Sequence, residues 1–273
     1  MVNLNAGEFT LPLGEKTYIM GIVNVTPDSF SDGGKYFDPD AALAHALSLI
    51  EDGADIIDIG AQSTRPGSLD ITAAEELERL KPVLEILKGK ISVPLSIDTF
   101  YPEVAEYALN NGASIINDVD GFFSEDIAGF CKQKNAAYVI THNPLNSGTK
   151  VEYPNGVVTA VRDFFLSCIG RAVKMQLPFE NLVLDPGVGF SKNRDDDCTI
   201  LKNMNELKIS PCALLCGVSR KRVTAFEGAG VDDRDYSTAV ANTAAIAGGA
   251  DIIRVHNVKA AKGARDVADR IFR

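Results

Sequence analysis

The chain is short of basic charge. Its 27 Lys and Arg face 37 Asp and Glu, for a formal net charge of −10. Nucleic-acid binders and polybasic membrane binders need a basic surface, so neither partner is expected. A small anionic ligand is still compatible, because a local cluster of cations can hold one. No apolar run approaches the roughly 20 residues of a membrane span. The start, "MVNLNAGEFT", has no basic region followed by an apolar stretch, so no secretory leader is expected. Cysteines are few and odd in number: Cys131, Cys168, Cys198, Cys212 and Cys216. They follow no disulfide framework and read as free thiols of a reducing cytoplasm. Cys212 and Cys216 stand further apart than the usual zinc pair. "GGK" at 33–35 lacks the spacing of a phosphate-binding P-loop. No Ser-His-Asp or Cys-His nucleophile signature stands out.

Apolar residues make up 45% of the 273, enough for a sizeable core, and they fall into a regular pattern. Eight short β-rich runs recur: "YIMGIVNV" (18–25), "DIIDIG" (55–60), "PLSIDT" (94–99), "SIINDV" (114–119), "AYVITH" (137–142), "LVLDPG" (182–187), "CALLCGVS" (212–219) and "DIIRVH" (251–256). They are nearly continuously apolar, as strands covered on both faces are. Helical patterns lie between them, for example at 39–51, 73–88, 156–176 and 237–249. Pro82 is expected to bend or split the second of these. "GADIID", "GASIIN" and "GADIIR" repeat one joint, a glycine after a helix and then a strand. The expectation is a single (β/α)8 TIM barrel over 1–273, eight parallel strands with surrounding helices and the active site at the C-terminal rim. An open doubly wound sheet is the alternative, though it usually has fewer strands for this length.

In such a barrel the residues ending the strands share one rim. Here they are Asn24, Asp58, Asp98, Asn117, His142, Asp185, Ser219 with Arg220 and Lys221, and Arg254 with His256. Loops add Arg65 and Lys192. Strand-end Asp, Asn and Ser often do no more than cap the next helix or make a turn. Lys221, Arg254 and His256 are not capping types, and capping does not explain why an acidic chain gathers cations at one rim. The rim therefore reads as two half-sites. Carboxylates and amides can grip a donor-rich polar ring, and cations can hold an anion such as phosphate. His45 reads as packing or surface, and "NRDDD" (193–197) as a solvated loop or helix start. "PGVGFS" (186–191) offers backbone N–H groups to a ligand.

These residues are familiar together. "GIVNVTPDSFSDGG" (21–34), "DIIDIGAQSTRPGS" (55–68), "SIDT" (96–99), "IND" (116–118), "LDPGVGFSK" (184–192), "SRKR" (219–222) and "RVH" (254–256) resemble the dihydropteroate synthase family along essentially the whole chain. The resemblance implies a folate-biosynthesis transferase. It would condense 6-hydroxymethyl-7,8-dihydropterin diphosphate with p-aminobenzoate, giving 7,8-dihydropteroate and diphosphate. It further implies Mg2+, a homodimer, small-molecule substrates and competition by sulfonamides. Asp98, Asn117, Asp185 and Lys221 would form the pterin pocket. Asn24, Arg65, Arg254 and His256 would hold diphosphate, with Asn24 also on the metal. Thr64, Pro66 and Phe190 would flank p-aminobenzoate. The chemistry would rest on Lys221, Asp98, Asp185, Arg254 and His256. Loops 26–34 and 63–68 resemble two mobile loops that close over the site.

The chain departs from the family pattern in places. Gly60-Ala61-Gln62 replaces Gly-Gly-Glu, Thr141-His142-Asn143 replaces Met-His-Met, Asn257 follows His256 in place of Asp, and "GFSK" replaces "GFGK". Two other readings share the barrel. A pterin-dependent methyltransferase serving a corrinoid protein would have no use for Arg65 and the "STRPG" loop. A non-catalytic pterin-binding paralogue would fit the changes at the fifth strand.

Overall fold

The computed structural model describes residues 2–26, 38–62, 71–144, 151–228 and 230–273. Each apolar run forms a parallel strand. They are β3 (Tyr18–Asn24), β4 (Ile56–Gly60), β5 (Leu95–Asp98), β6 (Ile115–Asp118), β7 (Ala137–Thr141), β8 (Leu182–Asp185), β9 (Ala213–Cys216) and β10 (Ile252–Val255). The order β10-β3-β4-β5-β6-β7-β8-β9 closes into a barrel. The chain thus has the (β/α)8 architecture, not an open sheet.

The N-terminus adds an element that the apolar runs did not signal. β1 (Val2–Ala6) and β2 (Phe9–Leu13) form an antiparallel hairpin. Its Leu4, Ala6 and Leu13 are buried against barrel-interior residues such as Met20, Ile56, Val139 and Leu215. The hairpin therefore plugs one mouth of the barrel, and chemistry is left to the other.

Helices α1 (Pro39–Asp52), α2 (Ala73–Leu87), α3 (Pro102–Asn110), α4 (Glu125–Lys134), α5 (Val157–Met175), α6 (Arg194–Lys202), α7 (Met204–Leu207), α8 (Asp235–Ala247) and α9 (Val258–Phe272) surround the strands. Their apolar faces and the outward strand residues make one continuous buried layer. Each large aliphatic side chain so buried contributes about 1.5–3 kcal/mol. Helix starts follow their sequences closely. Asp38 accepts from Asp40 N before α1, and Thr72 with Glu75 forms a reciprocal capping box before α2. α2 runs on through Pro82 from Ala73 to Leu87, so the proline does not split it. "NRDDD" is a helix start: Asn193 caps α6 through Asp195 N and Asp196 N. No helix among the described residues is long and apolar enough to cross a membrane.

Candidate active site

Strand register sets the rim. Asn24 pairs with Gly60, Gly60 with Asp98, and Asp98 with Asn117. Alternate residues of a strand face the same way, so the same strands present Asp58 and Ser96 one layer deeper. Asp58 is fully buried and is the hub of this layer. It accepts from Ser96 Oγ at 2.5 Å, Asn117 Nδ2 at 3.2 Å and Arg254 Nε at 2.6 Å. Arg254 also donates from Nη2 to Asp98 Oδ2 at 2.7 Å. One guanidinium thus fixes two carboxylates from neighbouring strands, a geometry lysine does not supply.

The ionisation states follow from this packing. Asp98 is raised to about 7: burial pushes it up most, Arg254 pulls it down, and Asp58 pushes it up again. Burial disfavours the charge on Arg254, but Asp58 and Asp98 more than offset that and raise its pKa. Asp185, across the barrel, is raised by burial and held down by Lys221 and by the Gly187 N–H. That N–H donates to Asp185 Oδ1 at 2.7 Å. Burial lowers Lys221, against the pull of Asp185. Lys221 Nζ donates to Val188 O at 2.7 Å and stands 4.5 Å from the Phe190 ring centroid. Gly217 keeps the floor between these groups open. A Cβ there would lie 3.8 Å from Lys221 Nζ and 3.9 Å from Asp185 Oδ2. On the β9–β10 side, Ser219 Oγ lies 2.9 Å from His256 Nδ1 and accepts from His256 N at 3.1 Å.

The structure therefore brings Asp98, Asn117 and Arg254 into one network through Asp58, and Asp185, Lys221 and Phe190 into another. His256 sits on Ser219, and Asn24 sits level with Asp98. Thr64, Arg65 and Pro66 lie outside the described residues, as do most of loops 26–34 and 63–68. Three expectations change. Lys192 is not a rim cation: its ammonium is buried on three backbone carbonyls, those of His142, Gly187 and Phe190. His142 turns away to pack edge-on against Phe164, 5.2 Å between centroids, and burial beside Lys192 lowers its pKa to about 3. In "PGVGFS" the N–H groups of Gly187, Gly189 and Phe190 are bonded within the protein and not offered to a ligand.

Several participants escaped the sequence reading. Ser96 sat one layer inside the strand ends that drew attention. Glu76 of α2 is buried and shares a small cavity with Gln62, Asp98 and Thr99, and burial pushes it up to about 7. Of the departures from the family pattern, two meet: Ser191 Oγ donates to Asn143 Oδ1 at 3.0 Å. Asn143 Nδ2 donates in turn to Val119 O at 2.8 Å. Thr141 Oγ1 is buried with no hydrogen-bond partner.

A closed (β/α)8 barrel with buried carboxylates and cations gathered at its C-terminal mouth defines a class, the barrel enzymes whose site is built on that face. The "Pterin binding enzyme" family model matches residues 20–256. A dihydropteroate synthase of a Synechocystis species is 39% identical over 99% of this chain and 95% of its own. A Xanthomonas albilineans dihydropteroate synthase solved with 4-aminobenzoic acid superposes with a TM-score of 0.91, at 36% identity, covering 98% of this chain and 97% of that one. The same organism's enzyme with 7,8-dihydropteroate gives 0.88 at 34% identity, with 98% of each chain covered. The chain belongs to the pterin-binding enzymes and, among them, to the dihydropteroate synthase family.

Proposed function

We propose that the protein condenses 6-hydroxymethyl-7,8-dihydropterin diphosphate with p-aminobenzoate, releasing 7,8-dihydropteroate and diphosphate. The observation that carries this is the paired arrangement at the rim. Asp98 meets Arg254, Asn117 joins them through Asp58, Asp185 faces Lys221, and His256 sits on Ser219, all at strand ends or in the loops just after them.

A pterin presents an amino group and a ring N–H side by side. One carboxylate can accept from both, and Asp185 is the candidate for it. The ring carbonyl and nitrogen accept from Lys221. Asp98 and Asn117 take the other edge. A ring without these donors leaves buried groups unpaired, which makes the pocket selective. Cleavage of the C–O bond leaves charge on diphosphate, and Arg254, His256 and Arg65 stabilise it as it develops. The dihydropterin ring delocalises the positive charge on the exocyclic carbon, so substitution is ionisation-first and needs no covalent enzyme intermediate. The aniline nitrogen then attacks, with Thr64, Pro66 and Phe190 flanking its ring.

Mg2+ fits this rim in one way. Among the described residues no group of three or more His, Cys, Asp or Glu could hold a metal. The donor at the diphosphate side is the amide of Asn24. Mg2+ keeps waters and takes oxygens from substrate phosphates plus one or two protein groups, so one amide suits it. When bound, it would supply charge neutralisation at the departing diphosphate.

Exposed apolar side chains support a homodimer: Tyr236 and Val240 on α8, Val267 and Ile271 on α9. Five free cysteines, four of them buried, suit the cytoplasm. Sulfonamides, as p-aminobenzoate mimics, should compete. The test is diphosphate release on mixing both substrates with Mg2+. Release is expected to require p-aminobenzoate and to fall at least ~100-fold in Lys221→Ala, the scale of one lost transition-state contact. Release that ignores p-aminobenzoate would sink the proposal.

A further inference from the structure

Lys192 has the geometry of a clamp. It is 5% exposed, and its Nζ donates to His142 O at 3.0 Å, Gly187 O at 2.9 Å and Phe190 O at 3.0 Å. Those carbonyls belong to two segments, the end of β7 and the loop after β8. An ammonium has three N–H donors and a neutral amine has two. Gly187 O also accepts from Phe190 N, but a neutral amine with three oxygens within 3.0 Å would set its lone pair against one of them, so the site favours the charged form. The same loop is held elsewhere. Gly187, with φ +66, passes so close to the β7 end that a Cβ would lie 2.1 Å from His142 O. Gly189 N donates to Asp197 Oδ1 at 2.8 Å, and Lys221 takes Val188 O at 2.7 Å. The Phe190 ring is carried on this loop. Ser191 Oγ ties the loop to Asn143 just after β7, and Lys192 ties it to the β7 end through the Phe190 carbonyl itself.

We propose that Lys192 is a positioning residue for the p-aminobenzoate side of the pocket. Its ammonium holds the 186–191 loop, and with it the Phe190 ring, in place beside Lys221. The proposal rests on the reading of Phe190 as a flank of the p-aminobenzoate subsite. It deepens that reading by making arylamine binding depend on the proton count of a residue that touches no substrate.

The surroundings make that proton available near neutrality. Burial lowers Lys192 to about 7, against Asp185 of β8 and Asp197 and Asp196 of α6, and with Lys221 pushing the same way as burial. The two other neighbours are His142, held neutral by burial, and Arg222, which donates to the backbone carbonyl of Lys192. Neither the carboxylate nor the aniline nitrogen of p-aminobenzoate changes protonation between pH 6 and 9; the terminal phosphate of the pterin diphosphate titrates at about 6, and the Lys192 variants separate that from the enzyme.

The experiment measures diphosphate release by the full chain at saturating pterin diphosphate and Mg2+, with p-aminobenzoate varied, from pH 6 to pH 9. The KM for p-aminobenzoate is expected to rise about tenfold across the range, the worth of one charge-assisted hydrogen bond, while kcat changes less. Lys192→Met is expected to show the high KM at every pH. A flat wild-type KM overturns the proposal. So does a pH limb that survives in Lys192→Met, because Asp185 or Asp197 would then own it. A Lys192→Met variant that loses kcat with KM unchanged also overturns it. If Lys192→Met does not fold, Lys192→Arg, which stays charged across the range, takes its place: its KM is expected to stay flat with pH, and a rise that persists in it overturns the proposal. Release that never depends on p-aminobenzoate removes the functional reading beneath; a flat KM with dependent release removes only the clamp.

Discussion

Removing Arg254 is the sharpest test of how the rim is built. In Arg254→Ala, Asp58 and Asp98 lose the guanidinium that lies 2.6 and 2.7 Å from them. Asp58 is fully buried, and the side chain of Asp98 is 10% exposed. Breaking a buried pair from one side costs about 3–5 kcal/mol, because the remaining charge stays uncompensated. Asp58 keeps Ser96 and Asn117 as donors, which favours the lower figure. For a chain of this size that corresponds to a fall in Tm on the order of 10 °C. The variant should therefore fold at 25 °C, yet be plainly less stable as well as inactive. The pH dependence has a definite sign. Asp98 is already raised to about 7, with Arg254 the main influence holding it down, so the variant raises it further. A raised carboxyl is most favourable below its unfolded value, and its contribution is lost as pH climbs through the folded one. Below about 7 both proteins carry the Asp98 proton and the deficit is constant. Above it only the variant keeps the proton, so its deficit grows. Thermal unfolding of both proteins at pH 6 and pH 8.5, followed by circular dichroism, measures this. A Tm loss under about 2 °C, or a deficit that shrinks at pH 8.5, would refute the reasoning.

Two further outcomes follow from single contacts. Tyr138 is fully buried, and its hydroxyl donates to Asp118 Oδ2 at 2.7 Å while accepting from Ser124 N at 3.0 Å. Tyr138→Phe should cost about 1–3 kcal/mol in chemical denaturation and leave turnover unchanged, since it lies in the helix-facing layer; a turnover loss would show that layer coupled to the site. Asn24→Ala should raise the Mg2+ needed for half-maximal diphosphate release roughly tenfold, with little change in Tm. An unchanged Mg2+ requirement would remove Asn24 from the metal.

The strands were legible because both faces of a parallel barrel strand are buried, which leaves a nearly unbroken apolar run to read. The N-terminal hairpin was not, since "VNLNA" and "FTLPL" alternate and bury only one side. At Pro82 splitting did not occur: a proline costs one backbone hydrogen bond, and α2 runs on through it from Ala73 to Leu87. At the rim, Asp98, Asp185, Lys221 and Arg254 were visible as strand-end polar types. Their partnerships were not, because Asp58 meets Arg254 from 196 positions away in the chain. Lys192 was misread for a related reason. Charge type says that a lysine can hold an anion, but only packing says that its ammonium is spent on carbonyls.

Ser191 leans on its neighbour. It sits at φ 51, in the left-handed region where the family pattern has glycine, and its hydroxyl reaches Asn143, itself a replacement. A side chain in that region costs about 1 kcal/mol on its own. Without Asn143 the serine keeps that cost and loses this bond; without the serine, Asn143 keeps its bond to Val119 O. The two positions are coupled, and unequally: the asparagine stands without the serine more cheaply than the serine without the asparagine.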